Sequence, residues 1–159
     1  MMKPLPWRPS RPDMAAIRLR CDRAPETVDS TLDAIEAHLL AAGASEPEAL
    51  QMRLVAEEIV TNIARCAWPE GVDAQFHVEL AAEAVAAGLH VVMTTIDDGV
   101  SFDPTAGASP DVGAELDDRG IGGLGMFLVR EMTDTQHYER TNGENRFRVE
   151  RLLPRAPCQ

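Results

Sequence analysis

Two apolar-rich stretches, Ala74–Ala82 and Leu89–Asp97, stand only six residues apart, and this short separation constrains the fold more than any other feature of the chain. Both read as strands, and the second, "LHVVMTTID", is apolar enough to be central in a sheet. A parallel crossover needs about a dozen residues or more, so the alanine-rich connection between them makes the two strands antiparallel neighbours. A second hairpin follows near the C-terminus. There "TQHYERT" and "NRFRVERLL" flank Asn142-Gly143, a dipeptide suited to the positive-φ positions of a tight turn.

The remaining elements fill in around these hairpins. Met14–Asp22 alternates apolar and polar residues through Ile17, Leu19 and Cys21, as a half-buried strand does. Pro25 suits the first turn of a helix, Val28, Leu32, Ile35 and Leu39 give it one apolar stripe, and Gly43 stops it. Ser45-Glu-Pro-Glu48 is a capping-box pattern that opens a second helix running to about Cys66, with Met52, Val55, Ile59 and Ile63 as its core stripe. Thr105–Arg119 lacks a period and reads as a long loop. Gly123–Asp134 returns to helical spacing through Leu124, Phe127, Leu128 and Met132. The order is strand, helix, helix, two strands, loop, helix, two strands. It predicts an α+β two-layer sandwich, a mostly antiparallel mixed sheet with helices on one face. The expected division is a disordered proline-rich leader over residues 1–13, one domain over 14–154 and a tail over 155–159.

Composition narrows the partners. At 159 residues and 45% hydrophobic, the chain can bury one real core. A formal net charge of −11 disfavours a nucleic-acid or anionic-membrane surface, although helix N-termini can still bind phosphate locally. No apolar run reaches the ~20 residues of a membrane helix, and the basic N-terminal residues are not followed by the apolar segment of a secretory signal. Cys21, Cys66 and Cys158 are odd in number and widely spaced, which argues against a disulfide framework or a zinc site and for a cytoplasmic home. The four histidines fall on separate elements without metal-ligand spacing.

Three stretches could carry chemistry. In "EEIVTNIARCAW", Glu58 and Asn62 lie about 40° apart around a helix and form a short polar ridge beside the apolar stripe. A carboxylate can accept a proton there and an amide oxygen is a hard donor suited to Mg²⁺. Taken alone, the pair reads first as a solvated helix flank. In "TTIDDGVSFDP", Asp97 ends the central strand and Gly99 follows, so a carboxylate could meet an amino group and the backbone could be approached closely; an ordinary Asp-Gly turn has the same look. In "RGIGGLGMFLVREM", glycines precede a helix and could offer N–H groups to phosphate, or could form a flexible hinge.

In their common order and spacing, the three stretches resemble the N, G1 and G2 boxes of the GHKL ATPases, whose fold is the Bergerat fold. The nearest likeness is to the anti-sigma-factor serine-protein kinases of the RsbW and SpoIIAB kind. "EEIVTNIARCAW" resembles their E-x-x-x-N box, "DDGVSFDP" their D-x-G-x-S-F-D box and "GGLGMFLVREMTD" their G-G-L-G box. Nothing resembles the phospho-acceptor helix of sensor histidine kinases.

The resemblance implies ATP and Mg²⁺ as cofactors, with Glu58 as general base and Asn62 as the metal ligand. It further implies Asp97 on the adenine amino group, Gly99 giving the base room, Gly123, Leu124 and Gly125 at the phosphates, and Thr105–Arg119 as a lid. Arg119, the one cation between Gly99 and Phe127, could approach the γ-phosphate or an acidic partner, or stay solvated. The implied activity is transfer of phosphate to a serine of a STAS-domain anti-anti-sigma protein by a homodimeric kinase that also holds a sigma factor. The alternative is a nucleotide-responsive switch that sequesters its partner without phosphotransfer. Cys66 and Trp68 depart from the histidine and tyrosine common among such relatives, and Cys66 is expected to be a buried structural thiol rather than a nucleophile.

Overall fold

The computed structural model describes residues 15–106 and 120–154. The leader, the tail, Arg119 and the loop from residue 107 onward lie outside the described residues. The elements run β1 (Ala15–Asp22), α1 (Pro25–Ala41), α2 (Glu46–Cys66), β2 (Gln75–Val85), β3 (Gly88–Asp97), α3 (Gly120–Met132), β4 (Thr135–Thr141) and β5 (Glu144–Pro154). The strands form one five-stranded sheet in the order β1-β2-β3-β5-β4, and every pairing is antiparallel.

Local signals set these boundaries. Ser45 Oγ accepts the Glu48 N–H at 3.4 Å and opens α2, while Pro25 occupies the first turn of α1. Gly43 ends the first helical segment at φ +107°, and the Ala44 N–H reaches back to the Leu39 carbonyl. Both central residues of the β4–β5 turn, Asn142 and Gly143, have positive φ, as a tight hairpin requires. The β2–β3 connection is tighter than the alanine pattern suggests. Both strands extend toward it and leave only Ala86-Ala87 as the turn.

The helices cover one face of the sheet. Phe76, Val78 and Leu80 of β2, Val91 and Met93 of β3, and Val149 and Leu153 of β5 all point into the core. Against them lie Leu32, Ile35 and Leu39 of α1 and Met52, Val55, Ile59 and Val60 of α2. At about 1.5–3 kcal/mol for each large apolar side chain removed from water, this layer is the main source of stability. On the opposite face Glu79 is also buried, at 2% exposure, and one of its oxygens meets Arg18 at 3.3 Å.

The expected apolar stripe of α3 needs correction. Among the side chains described there, Met126 and Val129 are buried, Phe127, Leu128 and Met132 are only half-buried, and Leu124 is 53% exposed. The glycines at its start offer no side chains to fix the period, so the inward face could not be told from spacing. The helix also starts earlier than expected: Gly120 to Gly123 form its first turn rather than a loop before it.

A candidate nucleotide site

Where α2, β3, β5 and the start of α3 meet, the core gives way to a cavity of about 540 Å³. That is the volume of an ordinary small-ligand site. Glu58, Asn62, Asp97 and Gly125 all line it, although they come from three separate stretches of the chain. Gly99 and Leu124 are not among its lining residues, and the lining covers the described residues only, which leaves Gly123 outside it.

One end of the cavity is densely hydrogen-bonded. Asp97 is buried at the end of β3, and its Oδ1 accepts the Gly99 N–H at 3.0 Å and Asn145 Nδ2 at 2.9 Å. Burial pushes the Asp97 carboxyl above its usual range. The hydrogen bonds from Asn145 and Gly99 oppose that rise, and nearby Asp98 adds to it. Asn145 was not among the residues singled out from the sequence. It was legible in principle, since it shares strand parity with the inward-facing Phe147 and Val149, and an amide at such a position demands partners.

At the other end, Glu58 and Asn62 stand one turn apart on α2, both half-buried. Among the described residues neither side chain makes a hydrogen bond. Across the helices, Glu58 lies against Gly125. A Cβ there would overlap Glu58 Oε2 and come within 3.2 Å of its Cδ, so the absent side chain is what lets α3 pass the carboxylate. Gly125 is the sixth residue of α3, and its N–H is engaged within the helix. The amides free to meet phosphate are those of the first three residues, Gly120 to Gly122.

Gly99 is also needed for packing. A Cβ there would overlap the Ala67 carbonyl oxygen and sit 2.6 Å from Ala67 Cβ, so its missing side chain makes room for the end of α2. The Val100 N–H donates to that same carbonyl at 2.8 Å. Trp68 Nε1 donates to Asp98 Oδ1 at 3.0 Å, which ties the end of α2 to the loop after β3 a second time. Arg23 secures this corner: its guanidinium donates to the carbonyls of Ala64, Pro69 and Val72 at 2.7–2.8 Å and lies 5.8 Å from the centre of the Trp68 ring. Nothing in its local sequence marks Arg23, because its partners lie more than forty residues away.

Cys66 is a correction. It is exposed and lines the cavity, not buried in the core. It lies three residues after Ile63 and shares the helical period of the core stripe, but in the last turn of α2 that stripe faces the cavity, which Ile63, itself only half-buried, also lines. Among the described residues no group of three or more His, Cys, Asp or Glu side chains could hold a metal ion. The donor set suits Mg²⁺ nonetheless, because Mg²⁺ keeps waters and takes phosphate oxygens with only one or two protein ligands.

A family model described as histidine kinase-like ATPase domain matches residues 21–150. The serine/threonine-protein kinase BtrW of Bordetella bronchiseptica is 33% identical over 94 residues, which are 59% of this chain and 63% of that protein. The solved RsbU and RsbW domains of a Mycobacterium tuberculosis protein superpose with a TM-score of 0.56 at 15% identity, covering 89% of this chain and 33% of that one. The SiaB–SiaC complex of Pseudomonas aeruginosa gives 0.50 at 17% identity, covering 86% and 89%. At these identities the two structures speak to the fold alone, and they agree with the antiparallel sheet and its single helical layer.

Proposed function

The chain belongs to the histidine kinase-like ATPase domain family, and from that premise we propose that it is an ATP-dependent protein serine kinase of the anti-sigma-factor type. The observation that carries the reading is the meeting of Glu58, Asn62 and Asp97 on one nucleotide-sized cavity. The likeness to a serine/threonine-protein kinase supports it.

Each residue then has a task its environment suits. Asp97, with Oδ1 already engaged, accepts the adenine amino group on Oδ2. The first-turn amides of α3 donate to phosphate oxygens, and the positive end of that helix favours their charge. Asn62 contributes its amide oxygen as the protein ligand for Mg²⁺, which when bound offsets the phosphate charge. Glu58 accepts the proton of the attacking serine hydroxyl. Phosphoryl transfer depends mostly on positioning and charge stabilisation, so a single carboxylate among amide donors suffices.

The acceptor in this reading is a STAS-domain anti-anti-sigma protein. Phosphorylation adds about −1.5 to −2 charge to its interface, releases it and frees the kinase for a sigma factor. The working form is a cytoplasmic homodimer. The test is incubation of the protein and a STAS-domain candidate with labelled ATP, alongside Glu58→Ala. Label on a partner serine, lost in Glu58→Ala while ATP still binds, supports the kinase. Equal transfer by the variant removes Glu58 from the mechanism, and ATP binding without any transfer favours a nucleotide-responsive switch.

A further inference from the structure

Behind Asp97 lies a brace that reaches across three strands. In the sheet register Asp97 of β3 faces Asn145 of β5, and Asn145 in turn faces Arg140 of β4, so the three form one cross-strand row. The Asn145 amide is saturated. Its Oδ1 accepts Tyr138 Oη–H at 2.6 Å and Arg140 Nη1 at 2.9 Å, while its Nδ2 donates to Asp97 Oδ1 at 2.9 Å and to the Val100 carbonyl at 2.8 Å. Arg140 Nη1 also donates to the Gly99 carbonyl at 3.1 Å, which links the brace to the loop after β3.

These contacts fix which way the amide points. Arg140 can only donate and the Val100 carbonyl can only accept, so the amide oxygen faces Arg140 and Tyr138 and the NH₂ faces Val100 and Asp97. A donor held on Oδ1 favours the ionised carboxylate and leaves Oδ2 as an acceptor toward the cavity. We propose that Arg140, acting with Tyr138 through Asn145, is a positioning residue that keeps Asp97 a pure acceptor and so sets the choice of adenine over guanine. The inference rests on the reading of the cavity as a nucleotide site with its base at Asp97.

The chemistry of the two bases makes the choice sensitive to this state. Adenine offers an amino donor where guanine offers the O6 acceptor. An ionised Asp97 accepts from the first and repels the second, whereas a protonated Asp97 donates to O6 and reverses the preference. Burial already draws Asp97 toward the protonated form, so the brace opposes an existing tendency. The other titratable groups around it are Asp98 on its own loop, Glu58, Arg65 and Cys66 from α2, and Tyr138 from β4. Among the described residues the nearby cations are Arg65, which lines the cavity, and Arg140 of β4, and Arg140 is the one bonded to the brace.

The test measures dissociation constants for ATP and GTP across pH in wild type, Arg140→Leu, Arg140→Lys and Tyr138→Phe. Wild type should prefer ATP by roughly 100-fold or more. Arg140→Leu should narrow that ratio by roughly tenfold, as expected for a lost charge-assisted hydrogen bond, and move the acid limb of ATP binding to higher pH. Arg140→Lys should recover most of both effects. Tyr138→Phe, which removes one hydroxyl and no charge, should act in the same direction more weakly, and it carries the test if Arg140→Leu does not fold. A folded Arg140→Leu with the wild-type ratio and acid limb overturns the proposal, as does an unfolded Arg140→Leu together with an unchanged Tyr138→Phe. A wild type that binds ATP and GTP equally well overturns it while leaving the nucleotide site intact. A wild type that binds neither removes the site and the proposal together.

Discussion

The two ends of the cavity are built on opposite principles. At the Asp97 end, the protein itself supplies the partners of Oδ1: Gly99 and Asn145 donate to it, Tyr138 and Arg140 hold Asn145, and together they keep one carboxylate in one orientation. At the Glu58 end, two polar side chains face the cavity from α2 with no side-chain hydrogen bond to another described residue. A rigid base reader and an open catalytic end suit a site that must recognise one nucleotide yet admit a phosphate chain, a metal and a second protein. The contrast teaches that preorganisation is concentrated where the ligand does not change during reaction.

The contrast can be broken first at Glu58. Glu58→Gln should lower phosphotransfer by roughly 100- to 10,000-fold, the range for a lost general base, with ATP affinity within about threefold of wild type. Single-turnover kinetics and calorimetric titration on one preparation read both quantities.

The two glycines sharpen it. Gly125→Ala meets the movable end of the Glu58 side chain, so the carboxylate shifts while the helix gains up to about 1 kcal/mol of propensity. We expect melting temperature near wild type and phosphotransfer reduced roughly tenfold or more. Gly99→Ala instead meets the Ala67 backbone, which cannot move without breaking the Val100–Ala67 hydrogen bond. It should cost about 1–3 kcal/mol, or about 2–12 °C in melting temperature for a chain of this length. Thermal melts of the pair separate a glycine that clears a catalytic group from one that permits packing.

A smaller effect follows from pH. Asp97 and Glu79 both have carboxyls raised by burial, so the folded state binds their protons more readily than the unfolded chain does. Stability of the free protein should therefore fall as pH rises from the ordinary carboxylate pKa through the raised values. ATP affinity should rise over the same span, because Asp97 must be ionised to accept the amino group. Asp97→Asn should flatten the stability trend in part and weaken ATP binding. Opposite slopes for melting temperature and affinity are the signature to look for in paired titrations.

Much of this was legible in the sequence. The hairpin separations dictated antiparallel pairing, Ser45 and Pro25 marked helix starts, and the order of Glu58, Asn62 and Asp97 anticipated one shared cavity. What the sequence did not reveal has physical causes. The inward face of α3 was hidden because glycines fill its first turn. Cys66 follows the helical period of a core stripe that ends one turn before it. Arg23 and Arg140 act through backbone carbonyls and an amide brought near only by the folded sheet. Gly99 illustrates a general difficulty: a glycine signals a close approach without saying what approaches.

The most direct test of the central claim is thermal unfolding of wild type and Asn62→Ala in ATP, with and without Mg²⁺. Ligand at about one hundred times its dissociation constant should stabilise the fold by about 2.7 kcal/mol. The account predicts a Mg²⁺-dependent upward shift in wild type that Asn62→Ala loses. Unchanged melting at millimolar ATP, or an equal shift in the variant, would contradict it.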